Sequence, residues 1–163
     1  MTDNKIEDLL NMDHLKFLFS LFQSNRSDIR IVGGSIRDAL LERKTKDVDL
    51  ATTIEPMDII TLLDNNNINY DDFAIQYGSI TAYPFDRKVQ ITSLREDINQ
   101  IGRHTNVIYT SNWKKDAARR DFTFNAIYVD QNNRMFDYYN GQKDLKNKKI
   151  KFIGETDERI KED

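Results

Sequence analysis

The order of hydrophobic patterns predicts an α+β domain of α/β type, a mixed sheet with helices packed on it. Short runs rich in Ile, Val, Thr and Tyr alternate with amphipathic stretches at helical spacing. Gly-Gly, Asn-rich and Pro-containing breaks separate them. A hairpin pattern in mid-chain adds strands of opposite direction.

Ile6, Leu9 and Leu10, then Phe17, Leu18, Leu21 and Phe22, form a helical stripe, so residues 1–27 are predicted as an N-terminal helix. Residues 29–32 read as a strand stopped by Gly33-Gly34, and Ser35 is expected to cap a helix through Leu41. Residues 47–53 read as a second strand. Pro56 opens a helix to about Leu63, and three asparagines end it. Residues 73–83 and 88–94 pair as a hairpin around residues 84–87. Residues 95–112 have weak periodicity and predict a long, mobile loop. A helix is expected over 113–121, strands over 124–129 and 135–139, a turn at Asn140-Gly141, and a short strand over 149–153 in a Lys-rich end.

The 163 residues, 39% of them hydrophobic, suffice for one domain with a core. The net charge of −3 confines any nucleic-acid contact to a local basic patch. The absence of cysteine excludes disulfides and thiolate metal sites. No apolar run approaches the ~18 residues of a membrane span, and the acidic N-terminus lacks a signal-peptide pattern. A soluble, cytoplasmic protein is expected.

The chemistry is concentrated in two stretches. In the first, Asp47 and Asp49 lie two apart on a predicted strand, on one face and about 7 Å from each other. Such a pair suits Mg²⁺, which takes few carboxylates and completes its shell with substrate phosphates. Incidental acids on a wet strand give the same pattern. Gly33, Gly34 and Ser35 join a strand to a helix, where glycine lets backbone approach a phosphate; an ordinary turn has the same composition. Arg37 can grip phosphate oxygens, and Asp38 can be a helix N-terminal charge. In the second stretch, Arg119 and Arg120 suit a triphosphate, while Asp121 and Asn125 suit ribose hydroxyls. The alternative is a helix end with charge pairs one turn apart.

Together, Gly33-Gly34-x-x-Arg37-Asp38 followed by Asp47-x-Asp49-Leu50-Ala51-Thr52 resembles the first motif of the class II tRNA nucleotidyltransferases, the CCA-adding enzymes, and of bacterial poly(A) polymerases. Arg119-Arg120-Asp121-Phe122-Thr123-Phe124-Asn125-Ala126 resembles their Arg-Arg-Asp-Phe-Thr-x-Asn-Ala motif. The resemblance implies a polymerase-β-like nucleotidyltransferase head over residues 28–140, with residues 141–163 starting the connection to a neck. It implies Mg²⁺ on catalytic Asp47 and Asp49. Nucleotide contacts would come from Gly33, Gly34, Ser35, Arg37, Arg119, Arg120, Asp121 and Asn125. Thr92-x-x-Arg95-x-Asp97 resembles the element that opens the family's flexible loop, giving Arg95 and Asp97 a positioning role. Gln90 stands where the family usually has a glutamate. Asp137, Gly141 and Asp144 resemble a third, structural motif.

The implied reaction is transfer of AMP or CMP from ATP or CTP to an RNA 3′-hydroxyl, that of tRNA, with release of pyrophosphate. Poly(A) addition uses the same head motifs. Arg159 to Asp163 look like the approach to the base-reading neck, so the chain is expected to be truncated before it. A second chain supplying neck and body, or a non-catalytic nucleotide-binding subunit, is the alternative.

Overall fold

The computed structural model describes residues 2–45, 47–101 and 104–154. The expected approach to a neck, Arg159 to Asp163, lies outside the described residues. The chain begins with helices α1 (Thr2–Leu10) and α2 (Asp13–Ser24). The predicted single N-terminal helix is thus two, broken at Asn11–Met12, where the apolar stripe loses its spacing. There follow strand β1 (Ile29–Val32), helix α3 (Gly34–Leu40), β2 (Val48–Thr52), α4 (Pro56–Asn65), β3 (Tyr70–Asp71), β4 (Ser79–Ala82) and β5 (Val89–Ser93). Next come β6 (Arg95–Ile101), β7 (His104–Tyr109), α5 (Trp113–Ala118), β8 (Ile127–Val129), β9 (Met135–Asp137) and α6 (Gly141–Lys146).

Seven strands form one mixed sheet in the order β3-β4-β5-β2-β1-β8-β9. Only β2 and β5 are parallel; the other described neighbours in this sheet are antiparallel. The expected α+β class holds. Alternation along β2 divides the molecule. Val48 and Leu50 face a large core with Ile31, Ile91 and Ile127, covered by residues of α1 to α4. Ala51 faces a smaller core with Val32, Trp113, Ala117 and Tyr128, covered by α5. Asp49 is on this second face and is half-buried.

Several expectations are corrected. Residues 95–112 are not a loop over their first part: β6 and β7 form a two-stranded antiparallel ribbon with Arg95 opposite Tyr109. Polar side chains occur along both strands, which hides the period-2 signal. Residues 73–83 are a strand only from Ser79; Ile75–Tyr77 is a 3₁₀ turn closed by Gly78 at φ 78°. The strand expected over 149–153 reduces to one bridge, Phe122 to Phe152. Ser35 does not cap α3. Gly33 holds that position at φ 79°, ψ −136°, a conformation that strongly favours glycine.

The third motif makes local structural contacts, as the resemblance implied. Asp137 accepts from the backbone N–H groups of Gly141 (2.8 Å) and Gln142 (2.9 Å), and Thr123 Oγ1 donates to buried Asp144 at 2.7 Å. A Cβ on Gly141 would come within 2.3 Å of the Thr123 carbonyl oxygen, a backbone atom that cannot swing away. Gly141→Ala is therefore expected to destabilise the fold by about 1–3 kcal/mol or more, read as a lower urea midpoint at unchanged slope; a midpoint equal to the parent would contradict this packing.

Candidate active site

Sheet register assembles the site. β1 is antiparallel to β2 with Val32 opposite Asp49. The chain leaving β1 at Gly33-Gly34 therefore emerges at the end of β2 where Asp47 lies. β5 is parallel to β2 with Gln90 beside Asp49, so Arg87 and Lys88 lie at that same end on the opposite flank. Asp47 precedes β2 rather than lying in it and is exposed.

Burial pushes the Asp49 carboxyl up from its ordinary range; Arg120 and Lys88 oppose that, and the charge of Asp47 adds to it. A divalent cation beside the pair would relieve both burial and repulsion, so this donor set fits Mg²⁺. Among the described residues no group of three or more His, Cys, Asp or Glu side chains gathers around a metal position. Gln90 of β5, an amide, lies beside Asp49 in the register.

On the β1 flank a polar chain crosses the mouth of the glycine turn. Asp38 pairs with Arg37 (Nε to Oδ1, 2.9 Å), Arg37 Nη1 donates to Asn125 Oδ1 at 3.4 Å, and Asn125 Nδ2 donates to Asp121 Oδ1 at 3.1 Å. Four residues predicted from two distant stretches thus meet: Gly33, Arg37, Asp121 and Asn125. Ser35 differs. It is buried, and its hydroxyl points back to the Val32 carbonyl at 3.4 Å, so its side chain is not offered to a ligand.

Arg119 and Arg120 are held by a residue the sequence reading did not single out. Asp116 is 0% exposed. It accepts from Arg119 Nε (2.9 Å), Arg120 Nη2 (3.2 Å), the Tyr128 hydroxyl (2.7 Å) and the backbone N–H of Arg95 (3.2 Å). Burial would raise its pKa, but Arg120, Arg119, the Tyr128 hydroxyl and the Arg95 N–H together hold it below the usual carboxylate range. The signal available was its spacing, three and four residues before two arginines on a helix.

Arg95 joins this group, contrary to the expected loop. Its backbone is anchored on Asp116, and its side chain donates to the Tyr77 carbonyl and lies 3.3 Å from Asp97. Burial, and then the charge of Arg119, push its pKa down. Asp49, Gln90, Arg95, Arg119, Arg120 and Tyr77 line a cavity of about 230 Å³. That lies below the roughly 300–1,000 Å³ of pockets that enclose a whole small ligand. A space of that size, lined by three arginines, can take phosphate-sized anions.

A mixed sheet carrying an Asp-x-Asp segment beside a Gly-Gly turn, with arginines converging from a second face, defines a polymerase-β-like head domain. The family model described as the poly A polymerase head domain matches residues 29–151, and the chain belongs to that family. The human mitochondrial CCA tRNA nucleotidyltransferase 1 is 40% identical over 150 residues, 91% of this chain and 35% of that protein. The CCA-adding enzyme of Staphylococcus saprophyticus is 33% identical over 150 residues, 91% of this chain and 37% of that protein. The Bacillus stearothermophilus CCA-adding enzyme, solved in complex with CTP, superposes with a TM-score of 0.82 at 26% identity, over 92% of this chain and 35% of that one. The chain thus spans about a third of the length of these relatives. No helix among the described residues is long and apolar enough to cross a membrane.

Two outcomes follow from the electrostatics. A raised carboxyl disfavours folding once it must ionise, so its stabilising effect is present below the unfolded pKa and is lost as pH rises through the folded one. Asp49→Asn is expected to raise the Tm of the metal-free chain at pH 7, by about 2–4 °C for each kcal/mol gained; a lower Tm would contradict the assignment. Asp116 has the opposite sign. Its contribution is full above the unfolded value near pH 4 and is lost as pH falls through the lower folded value. Asp116→Asn, which removes the buried negative charge that two half-buried arginines share, is expected to cost about 3–5 kcal/mol in denaturant titrations at pH 7, a loss that shrinks in strong acid.

Proposed function

We propose that the chain is the nucleotide-binding and catalytic head of an RNA nucleotidyltransferase. The observation that carries this reading is the convergence, from two sequence stretches, of Asp47 and Asp49, the Gly33-Gly34 turn and the Asp116-held arginines around one end of β2. Arg119, Arg120 and Arg95 neutralise the triphosphate, and Arg37 is steered by Asn125 toward the glycine turn. Asp121 and Asn125, already hydrogen-bonded to each other, orient the ribose.

Asp47 and Asp49 are the residues that would hold Mg²⁺, which when bound supplies charge stabilisation to the transferring phosphoryl group. In the reaction a 3′-oxygen of RNA bonds to the α-phosphorus of ATP or CTP. The bond to the bridging oxygen breaks, pyrophosphate leaves, and the hydroxyl proton passes to solvent. The relatives at 33–40% identity are named for CCA addition to tRNA, which favours tRNA over poly(A) as the product line. Neck and body functions would come from outside the matched third, in the same polypeptide or a second chain. A cytoplasmic address belongs to the same reading; the human relative is named as mitochondrial, so fractionation decides the address separately.

Gln90, beside Asp49 in the register, favours a second reading: nucleotide binding without turnover. Calorimetric titration of ATP and CTP with Mg²⁺ tests both. Metal-dependent binding of either nucleotide, abolished in Asp47→Ala/Asp49→Ala, is the expected result. No heat at millimolar nucleotide would sink the catalytic reading. Gln90→Glu is expected to tighten Mg²⁺ binding; if it leaves metal affinity unchanged, the β5 position is not part of the site.

A further inference from the structure

Arg30 is a charged residue inside the sheet that takes no part in the cleft described above. It lies on β1, on the same face as Val32 and Asp49 but two residues further from the site, and is 8% exposed. It does not line the arginine cleft. Its guanidinium is clamped between two rings. The central carbon lies 3.9 Å from the centroid of Trp113 on α5 and 3.7 Å from that of Phe136 on β9. Nη2 donates to Asp28 at 2.9 Å and Nη1 to the Tyr138 hydroxyl at 3.5 Å, while buried Nε has no hydrogen-bond partner among the described residues.

Burial alone does not explain an arginine here. A buried guanidinium with an unused N–H gives up hydration without full compensation. An apolar side chain of similar length often fills such a place with little loss of stability. What arginine adds is geometry. Its rigid plane stacks on aromatic faces and so fixes the spacing between Trp113 and β9.

That spacing matters for the helix that carries the phosphate-binding residues. α5 has 6 residues and is too short to be stable by itself. Trp113 is its one large apolar side chain; its other buried residues are Asp116 and Ala117. Trp113 therefore sets the seat of α5 on the sheet. Its ring rests on Arg30 and meets that of Tyr128 edge-on, with centroids 5.2 Å apart and planes at 79°. The Tyr128 hydroxyl in turn donates to Asp116 and accepts from Arg120 Nε at 3.1 Å. A packed path thus runs from Phe136 and Arg30 through Trp113 and Tyr128 to Asp116, which holds Arg119 and Arg120.

We propose that Arg30 is a positioning residue for the phosphate-binding arginines: clamped between Trp113 and Phe136, it sets the height of α5 over the sheet and with it the reach of Arg119 and Arg120 into the cleft. The assignment rests on the nucleotidyltransferase reading. The test uses Arg30→Met, which keeps the length and loses charge and plane, and Arg30→Lys, which keeps the charge and loses the plane. Urea unfolding of each defines conditions in which parent and variants are fully folded. Under those conditions ATP affinity with Mg²⁺ is measured by calorimetry, and the Nε–H signals of Arg119 and Arg120 are followed by NMR without ligand. Both variants are expected to shift those signals and to bind ATP at least about threefold more weakly, an effect of the size seen for residues that act through a packed chain. A purely structural role would lower the urea midpoint and leave both readouts of the folded chain unchanged. Unmoved Nε–H signals, unchanged ATP affinity, parent-like affinity in Arg30→Lys, or loss of cooperative unfolding in both variants would overturn the assignment and leave the nucleotide reading standing. Absence of ATP binding in the parent chain would overturn that reading and the assignment with it.

Discussion

Strand β2 has to satisfy two demands at once. It is hydrogen-bonded on both edges, to β1 and β5, so it sits inside the sheet. Its Val48 and Leu50 face must be apolar to seal the large core, while the opposite face carries Asp49 where acids are disfavoured. A side-chain period of two allows both in consecutive residues. The cost is visible in the raised Asp49 carboxyl. Shifting β2 by one residue would put Asp49 into the core, so the fold and the site depend on the same register.

The positive side of the site has its own constraint. Three arginines, Arg95, Arg119 and Arg120, share one small cleft. A fully buried carboxylate, Asp116, counters their mutual repulsion, and its other contacts are Tyr128 on β8 and the first residue of the β6–β7 ribbon. Burial makes that carboxylate expensive unless every lone pair is used, and the four donors use them. The same group therefore fixes the arginine geometry and ties the ribbon to the face that carries Asp49. It acts through the arginines rather than on a ligand.

Much of this was legible in the sequence, for local reasons. Glycines stopped β1, Pro56 started α4, and Asp47 and Asp49 announced themselves as paired acids flanking an apolar residue. The resemblance of both motifs added which of these residues would share a site. What escaped detection depends on long-range contacts. Asp116 looked like half of a surface helix pair, because nothing local reveals that Trp113 and Tyr128 bury it. Residues 95–109 looked like loop because the ribbon packs little apolar surface, leaving no alternation to read. Ser35 looked like a helix cap, but Gly33 can adopt the positive φ needed at that position and Ser35 cannot do so without strain.

The central claim is that one end of β2, between the Gly33-Gly34 turn and β5, holds a divalent ion together with a nucleotide. Mn²⁺ in place of Mg²⁺ reports this directly, through paramagnetic broadening of assigned backbone amide signals. The account predicts broadening centred on Asp47 to Asp49, Gly33, Gly34 and Gln90, strengthened when ATP is added. Broadening centred on other acidic positions such as Asp71 and Asp72, or indifferent to ATP, would contradict it.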